Sequence, residues 1–296
     1  MPINKVMVLG ATGMLGHTIV NILDQYEDIE ISATVRKHEK FESRIKPETR
    51  DKIIFNIDAE KFDSLAQTIK KTKPDIIVNC IGVIKQLSSA NDPITSIYLN
   101  SLFPHKLAAL CQSNGARLIH ISTDCVFSGK KGLYTEEDFP DCDDLYGRTK
   151  LLGEVDTPHA VTLRTSVIGH ELQSNLSLVE WFLSQKEKVH GYTKAIYSGF
   201  PSVELARIIA EIVIPRQSLK GLYHLSSSPI SKYELLCLIA REYNKEIEIE
   251  QNDNLCCDRS LDSSRFNTIT GYVPPTWPKL VKSMHTEWQC QRKNIS

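Results

Sequence analysis

The stretch "KVMVLGATGMLGHTIV" limits the fold of this chain more than any other part of it. A short apolar run is followed by Gly10, Gly13 and Gly16, and then by apolar residues at helical spacing. Glycines spaced G-x-x-G-x-x-G between a first strand and a first helix serve three ends. They allow a tight turn, close backbone approach to a pyrophosphate, and packing of the helix on the sheet. The positive end of the helix then offers an anion site. Gly10, Thr12, Gly13, Met14, Leu15 and Gly16 are therefore expected to meet a dinucleotide.

The next segments repeat the strand–helix rhythm. "IEISATVR" and "KIIFNID" read as strands, "FDSLAQTIKKTK" as a helix and "DIIVNCIG" as a fourth strand. "SLFPHKLAALCQSNG" is a helix that stops at Asn114-Gly115, "ARLIHISTD" is a fifth strand, and "AVTLRTSVIG" is another. Strands that are continuous apolar runs, with helical crossovers between them, predict a parallel sheet covered on both faces, hence an α/β doubly wound Rossmann fold.

Beyond about residue 170 the rhythm loosens. Helical "SLVEWFLSQK" and "VELARIIAEIVI", a short "GLYHLSS" strand and a helix capped by Ser231 and Glu234 look too irregular to continue the sheet. Residues 1–165 are expected to form the cofactor-binding domain, with about 193–215 returning to it. Residues 166–296 are expected to form a smaller substrate-binding region over the carboxyl ends of the strands.

Those carboxyl ends carry the candidate cofactor contacts. Where an NAD-selective site usually places an acid, the second strand ends in Arg36, followed by Lys37. A guanidinium can accept a 2′-phosphate, so NADPH is expected, with NADH also admissible; the plainer alternative is the start of a solvated loop. Asp58 stands either where an adenine amino group would be met or as a helix cap. Cys80, Ile81 and Gly82 end the fourth strand beside the expected cofactor.

"DCDDLYGRTKLLGE" places Tyr146 and Lys150 one helical turn apart, on one face. A free phenol is a poor acid–base catalyst at neutral pH, and a nearby ammonium would draw its pKa down. Such a pair alone is equally a solvated helix face. What raises it is "LIHISTDCVFSG", whose strand ends at Ser122, Thr123 and Asp124, so that a hydroxyl could bind the same carbonyl oxygen that Tyr146 protonates.

Taken in order, the glycine loop, the hydroxyl strand, Y-x-x-x-K at 146–150 and "LRTS" at 163–166 resemble the extended short-chain dehydrogenase/reductase family over nearly the whole chain. Within it, the resemblance is to the dTDP-4-dehydrorhamnose reductase branch. It implies Thr123, Tyr146 and Lys150 as catalytic residues, and Lys150 also as a ligand of the nicotinamide ribose. It implies Asn100 as a structural and proton-relay residue beside the cofactor. Asp124, Cys125, Val167 and Arg259 are implied on the substrate side, Arg259 either toward a nucleotide diphosphate or in a surface salt bridge.

Two departures from the family pattern matter. Related dehydratases carry Thr-Asp-Glu on the fifth strand, and Cys125 here replaces that glutamate, which favours carbonyl reduction. After "RTS" the branch usually has a tryptophan and an aromatic, where this chain has Val167, Ile168 and Gly169. Trp181 or Tyr197 would have to supply a sugar platform, or be core residues. The expected substrate is thus a nucleotide-linked 4-keto-6-deoxy sugar, with a UDP-N-acetyl-4-keto-6-deoxyhexosamine as rival. The regulatory β subunit of methionine adenosyltransferase resembles the same branch, so an NADP-binding regulatory role is the alternative of another class. The resemblance also admits a homodimer.

Composition narrows the rest. With a formal net charge of -1 over 296 residues, there is no cationic excess to hold nucleic acid. No apolar run approaches the roughly 20 residues of a membrane span, and the early glycines interrupt any secretory core. A cytoplasmic protein is expected. Eight cysteines without a C-x-x-C pair suggest reduced thiols and no metal.

Overall fold

The computed structural model describes residues 3–36, 47–84, 92–172 and 176–293. In its first half, β1 (Asn4–Leu9), α1 (Met14–Leu23), β2 (Ile29–Thr34), β3 (Ile53–Ile54), α2 (Phe62–Thr72) and β4 (Ile76–Asn79) follow one another. Then come α3 (Pro93–Ser96), α4 (Phe103–Ser113), β5 (Arg117–Thr123), α5 (Leu145–Leu152) and β6 (Ala160–Thr165). A π-helical turn, Ile97–Leu102, joins α3 to α4.

The second half holds β7 (Val167–Ile168), α6 (Leu178–Ser184), β8 (Val189–Tyr192), β9 (Ala195–Tyr197), β10 (Phe200–Pro201), α7 (Ser202–Ile208) and β11 (Gly221–His224). It closes with β12 (Ile230–Ser231), α8 (Lys232–Glu242), β13 (Ile249–Asn252), β14 (Cys257–Asp258), α9 (Ser264–Thr270) and α10 (Trp277–Lys293). The capping box expected at Ser231 and Glu234 opens α8.

Seven strands form one sheet in the order β11-β6-β5-β4-β1-β2-β3, and every pairing in it is parallel. Along β1, Val6 and Val8 enter one apolar cluster and Met7 and Leu9 the other. Burial on both faces is what makes such a strand a continuous apolar run.

The seventh strand corrects the sequence reading. "GLYHLSS" was expected to lie outside the sheet, yet Gly221–His224 pairs with Val161–Arg164 and forms an edge of it. Four residues with a positive-φ glycine at their start are a weak strand signal alone. Pairing with the buried β6 supplies the missing stability. Between β10 and this strand, α7 packs on α1. The remaining strands form small pairs and a triplet, β10-β7, β13-β8 and β12-β9-β14.

Strand order reverses between β1 and β4, the place where doubly wound sheets open a crevice at their carboxyl ends. There Leu9 lies beside Asn79, and the Cys80 amide donates to the Leu9 carbonyl at 3.1 Å. Among the described residues, no helix is long and apolar enough to cross a membrane. Among the same residues, no group of three or more His, Cys, Asp or Glu is placed to hold a metal ion. All eight cysteines are free thiols.

Candidate active site

The glycine loop opens on this crevice. Gly10 sits at φ +79°, and a Cβ there would come within 3.1 Å of the Cys80 backbone. At Gly16 a Cβ would overlap the Gly10 carbonyl and lie 2.8 Å from its carbon, so only glycine lets α1 approach the loop so closely. Gly13 is exposed and begins α1 with no side-chain cap. The first amides of the helix are thus left to an external acceptor, as a pyrophosphate site needs. Thr12, Met14 and Leu15 are half-buried around this turn, and Leu15 also packs on the core.

Arg36 is exposed just past β2; Lys37 lies outside the described residues. The Asp58 carboxylate accepts the Glu60 amide at 3.1 Å in the turn ahead of α2, but the N-cap of that helix is Lys61, with no side-chain cap. At the end of β4, Ile81 donates its amide to Asn79 Oδ1 at 3.1 Å. Exposed Gly82 faces Asn100 and Lys150: a Cβ on it would lie 3.1 Å from Asn100 Oδ1 and 4.0 Å from Lys150 Nζ.

The catalytic candidates converge because α5 presses on the loop after β5. Asp144 caps α5, its carboxylate accepting the Gly147 amide at 2.7 Å. A Cβ on Gly147 would lie 2.8 Å from Cys142 Cβ and overlap the Cys125 carbonyl. That closeness brings the Tyr146 hydroxyl close enough to the Thr123 hydroxyl for the two to act on one another. Thr123, 7% exposed, accepts the Cys125 amide at 3.1 Å and donates to Asp124 Oδ1 at 3.2 Å. One turn along α5, Lys150 is 6% exposed and donates to the Ile121 carbonyl at 2.7 Å. Asn100 is buried in the π-helical turn; its Oδ1 accepts the Val83 amide at 2.8 Å and its Nδ2 donates to Thr149 Oγ1 at 3.3 Å.

Burial dominates the electrostatics. It lowers Lys150 to about 8, against the opposing pull of the Glu154 carboxylate. It pushes the Cys80 thiol up to about 12 and raises the Asp124 carboxyl, with Arg259 pulling the other way. Tyr146 runs against expectation. Its phenol was expected to be drawn down by Lys150, but burial and the negative groups at Cys125 and Asp124 hold it above its ordinary value, with the Thr123 hydroxyl the counter-effect. Desolvating a phenolate costs more than the surrounding dipoles return.

On the substrate side, Asp124, Cys125 and Arg259 come together. The Arg259 guanidinium donates through Nε to the Phe127 carbonyl at 2.8 Å, and its charge meets Cys125, Cys257, Asp124 and Asp144. Val167 is half-buried in β7, beside Phe200 of β10. Of the two candidate aromatics, Tyr197 belongs to this group: it is buried beside Ser166 and within the field of Asp124, with Trp277 against its ring at 5.7 Å. Trp181 is 37% exposed on α6.

Sequence reasoning passed over Glu154, Arg164 and His224, and placed Ser122 at the strand end without its partner. Both oxygens of Glu154 are held by Arg164, through Nε and Nη2 at 2.7 Å each, and Ser122 Oγ adds a third bond at 2.7 Å. Two signals were present: Glu154 is four residues after Lys150, and an arginine inside the apolar strand "AVTLRTS" needs a partner.

The mouse methionine adenosyltransferase 2 subunit beta is 28% identical over 311 residues, 95% of this chain and 89% of that protein. Among solved structures, a Bacillus anthracis dTDP-4-dehydrorhamnose reductase in complex with NADP superposes with a TM-score of 0.78 at 20% identity, covering 97% of this chain and 99% of that one. The Bordetella bronchiseptica enzyme WbmH in complex with NAD+ does so with a TM-score of 0.75 at 18% identity, covering 97% and 99%. At these identities the two structures share the fold. The description "RmlD substrate binding domain" matches residues 4–290. With almost the whole chain inside that match, this protein belongs to the RmlD substrate-binding-domain family.

Proposed function

We propose that this chain is a cytoplasmic NADPH-dependent reductase of a nucleotide-linked 4-keto-6-deoxy sugar, serving the synthesis of cell-surface polysaccharide sugars. The observation that carries this reading is the convergence of the Tyr146 and Thr123 hydroxyls at the carboxyl edge of the sheet, on the same side as the glycine loop.

The residues fit a dinucleotide: the positive-φ turn at Gly10, the uncapped start of α1 at Gly13, and the glycine at 82 facing Asn100 and Lys150. When bound, the cofactor supplies the hydride. Gly10, Gly13 and the first turn of α1 would hold its pyrophosphate, Arg36 a 2′-phosphate, and Lys150 the nicotinamide ribose. The keto oxygen of the sugar is bound by Thr123 and Tyr146. A phenol held protonated by its burial is in the correct state to give a proton to that oxygen as it becomes an alkoxide. Lys150, with a pKa near 8, is the group from which the tyrosine's proton is replaced. Cys125, where the related dehydratases carry glutamate, supports reduction without elimination. Arg259, whose charge is felt at Asp124, is assigned to the nucleotide diphosphate.

NADPH consumption against a panel of dTDP- and UDP-linked 4-keto-6-deoxy sugars tests the reading. Turnover on one member, including a UDP-N-acetyl-4-keto-6-deoxyhexosamine, is expected. A second reading, an NADP-binding regulatory subunit, is favoured by the 28% identity to the mouse methionine adenosyltransferase subunit over 95% of this chain. Co-purification with a synthetase, together with no NADPH oxidation on any sugar, would replace the first reading by the second.

A further inference from the structure

Behind the Tyr146–Lys150 face lies a buried polar network that the proposed reaction does not use. Glu154 follows the C-cap of α5, four residues after Lys150. Its carboxylate accepts two bonds from Arg164 of β6 and one from Ser122 of β5, each 2.7 Å long. Parallel register makes this meeting unavoidable, because Ser122 and Arg164 are neighbours across β5 and β6. The Arg164 guanidinium is 3% exposed and sits 5.3 Å from the centre of the Phe127 ring. Its Nη1 meets His224 Nε2 at 3.3 Å. Since guanidinium only donates, His224 accepts there and carries its proton on Nδ1, which donates to the Tyr134 carbonyl at 3.0 Å. Burial keeps that imidazole neutral, down to about 4.

A buried ion pair adds little stability relative to an apolar pair of the same size. Retaining one four residues from a buried lysine therefore suggests a task beyond stability. We infer that Glu154 is a positioning residue for Lys150: clamped by Arg164 and Ser122, its carboxylate is the counter-charge that keeps the buried lysine an ammonium, seated on the Ile121 carbonyl.

The other groups facing Lys150 cannot substitute. Cys80, at the end of β4, is kept a neutral thiol by burial. His120 of β5, fully buried with Nδ1 near Asn79 Nδ2 at 3.1 Å, is kept neutral, and the Lys150 charge itself helps to do so. His105 of α4, whose Nε2 lies 2.8 Å from the Leu152 carbonyl, acts on His120 and brings no negative charge. Asn100, on the π-helical turn, is uncharged. Glu154 is thus the anionic group among those that act on Lys150 in the described residues.

The inference concerns the residue that the proposed reaction uses but is tested without turnover. In full-length protein labelled with 13C-lysine, free of cofactor, the Lys150 signal is assigned by its loss in Lys150→Met and followed with pH. The midpoint near 8 should fall by about one pH unit or more in Glu154→Gln. It should be restored in Glu154→Asp, which keeps the charge. If Glu154→Gln does not fold because Arg164 is stranded, the double variant Glu154→Gln/Arg164→Met removes both charges and should show a fall in the same direction, smaller because a cation leaves with the carboxylate. A folded single or double variant whose Lys150 midpoint is unchanged overturns the inference. A protein that oxidises no NADPH but shows the fall would sink the reductase reading and leave this one standing.

Discussion

Replacing Lys150 by methionine should remove a group that the fold holds at a cost. An ammonium with an ordinary pKa of 10.5 is carried at about 8 in the folded chain. At about 1.4 kcal/mol per pKa unit, that is about 3 kcal/mol of folded-state destabilisation while the lysine is protonated in both states. The sign follows from proton counting. Below about pH 8 both states bind the proton, and the full cost is present. Between about 8 and 10.5 the unfolded chain binds more protons than the folded one, so stability rises with pH and the cost is relieved. Methionine fills a similar volume and has no such dependence. The loss of the bond to the Ile121 carbonyl is common to all pH values and cancels in a comparison across pH. Urea unfolding of both proteins, followed by circular dichroism in steps from pH 7 to pH 10, is the assay. The stability of the wild type relative to Lys150→Met should climb by roughly 2–3 kcal/mol over that range. A difference that stays flat would mean that Lys150 is not a desolvated ammonium, and the account of its burial would fail.

Three further outcomes are expected. Tyr146→Phe should bind NADPH as the wild type does, by fluorescence titration, while turnover drops by about 10²–10⁴-fold, the usual worth of a positioned acid. Arg36→Asp should reverse the preference for NADPH over NADH in kcat/KM; an unchanged ratio would return Arg36 to the status of a solvated loop residue. Gly16→Ala places a Cβ 2.8 Å from the Gly10 carbonyl carbon, so thermal unfolding should show a loss of about 1–3 kcal/mol, together with weakened cofactor binding by calorimetry.

Local chemistry made much of the site legible. Strands β1, β4, β5 and β6 are buried on both faces, so each announces itself as an apolar run whatever its neighbours. The glycine at 16 is read from spacing because its constraint comes from a residue six positions away, at Gly10. Tyr146 and Lys150 share a helix face by geometry alone, and the capping box at Ser231 is equally local.

What the linear pattern misjudged depended on partners far along the chain. Gly221–His224 becomes a sheet strand because β6, some sixty residues earlier, offers it an open edge. Glu154 is visible as the residue four after Lys150, but Arg164 and Ser122 reach it only through the β5–β6 register. The direction of the Tyr146 shift was missed for the same reason: attraction to one ammonium can be read from spacing, whereas desolvation sums over every group packed around the phenol. Residue type and spacing along the chain thus set the fold class and identify the groups that could do chemistry. Their charge states and partners were decided only by packing, because the cost of burying a charge, and the dipoles that offset it, come from residues that the sequence does not place side by side.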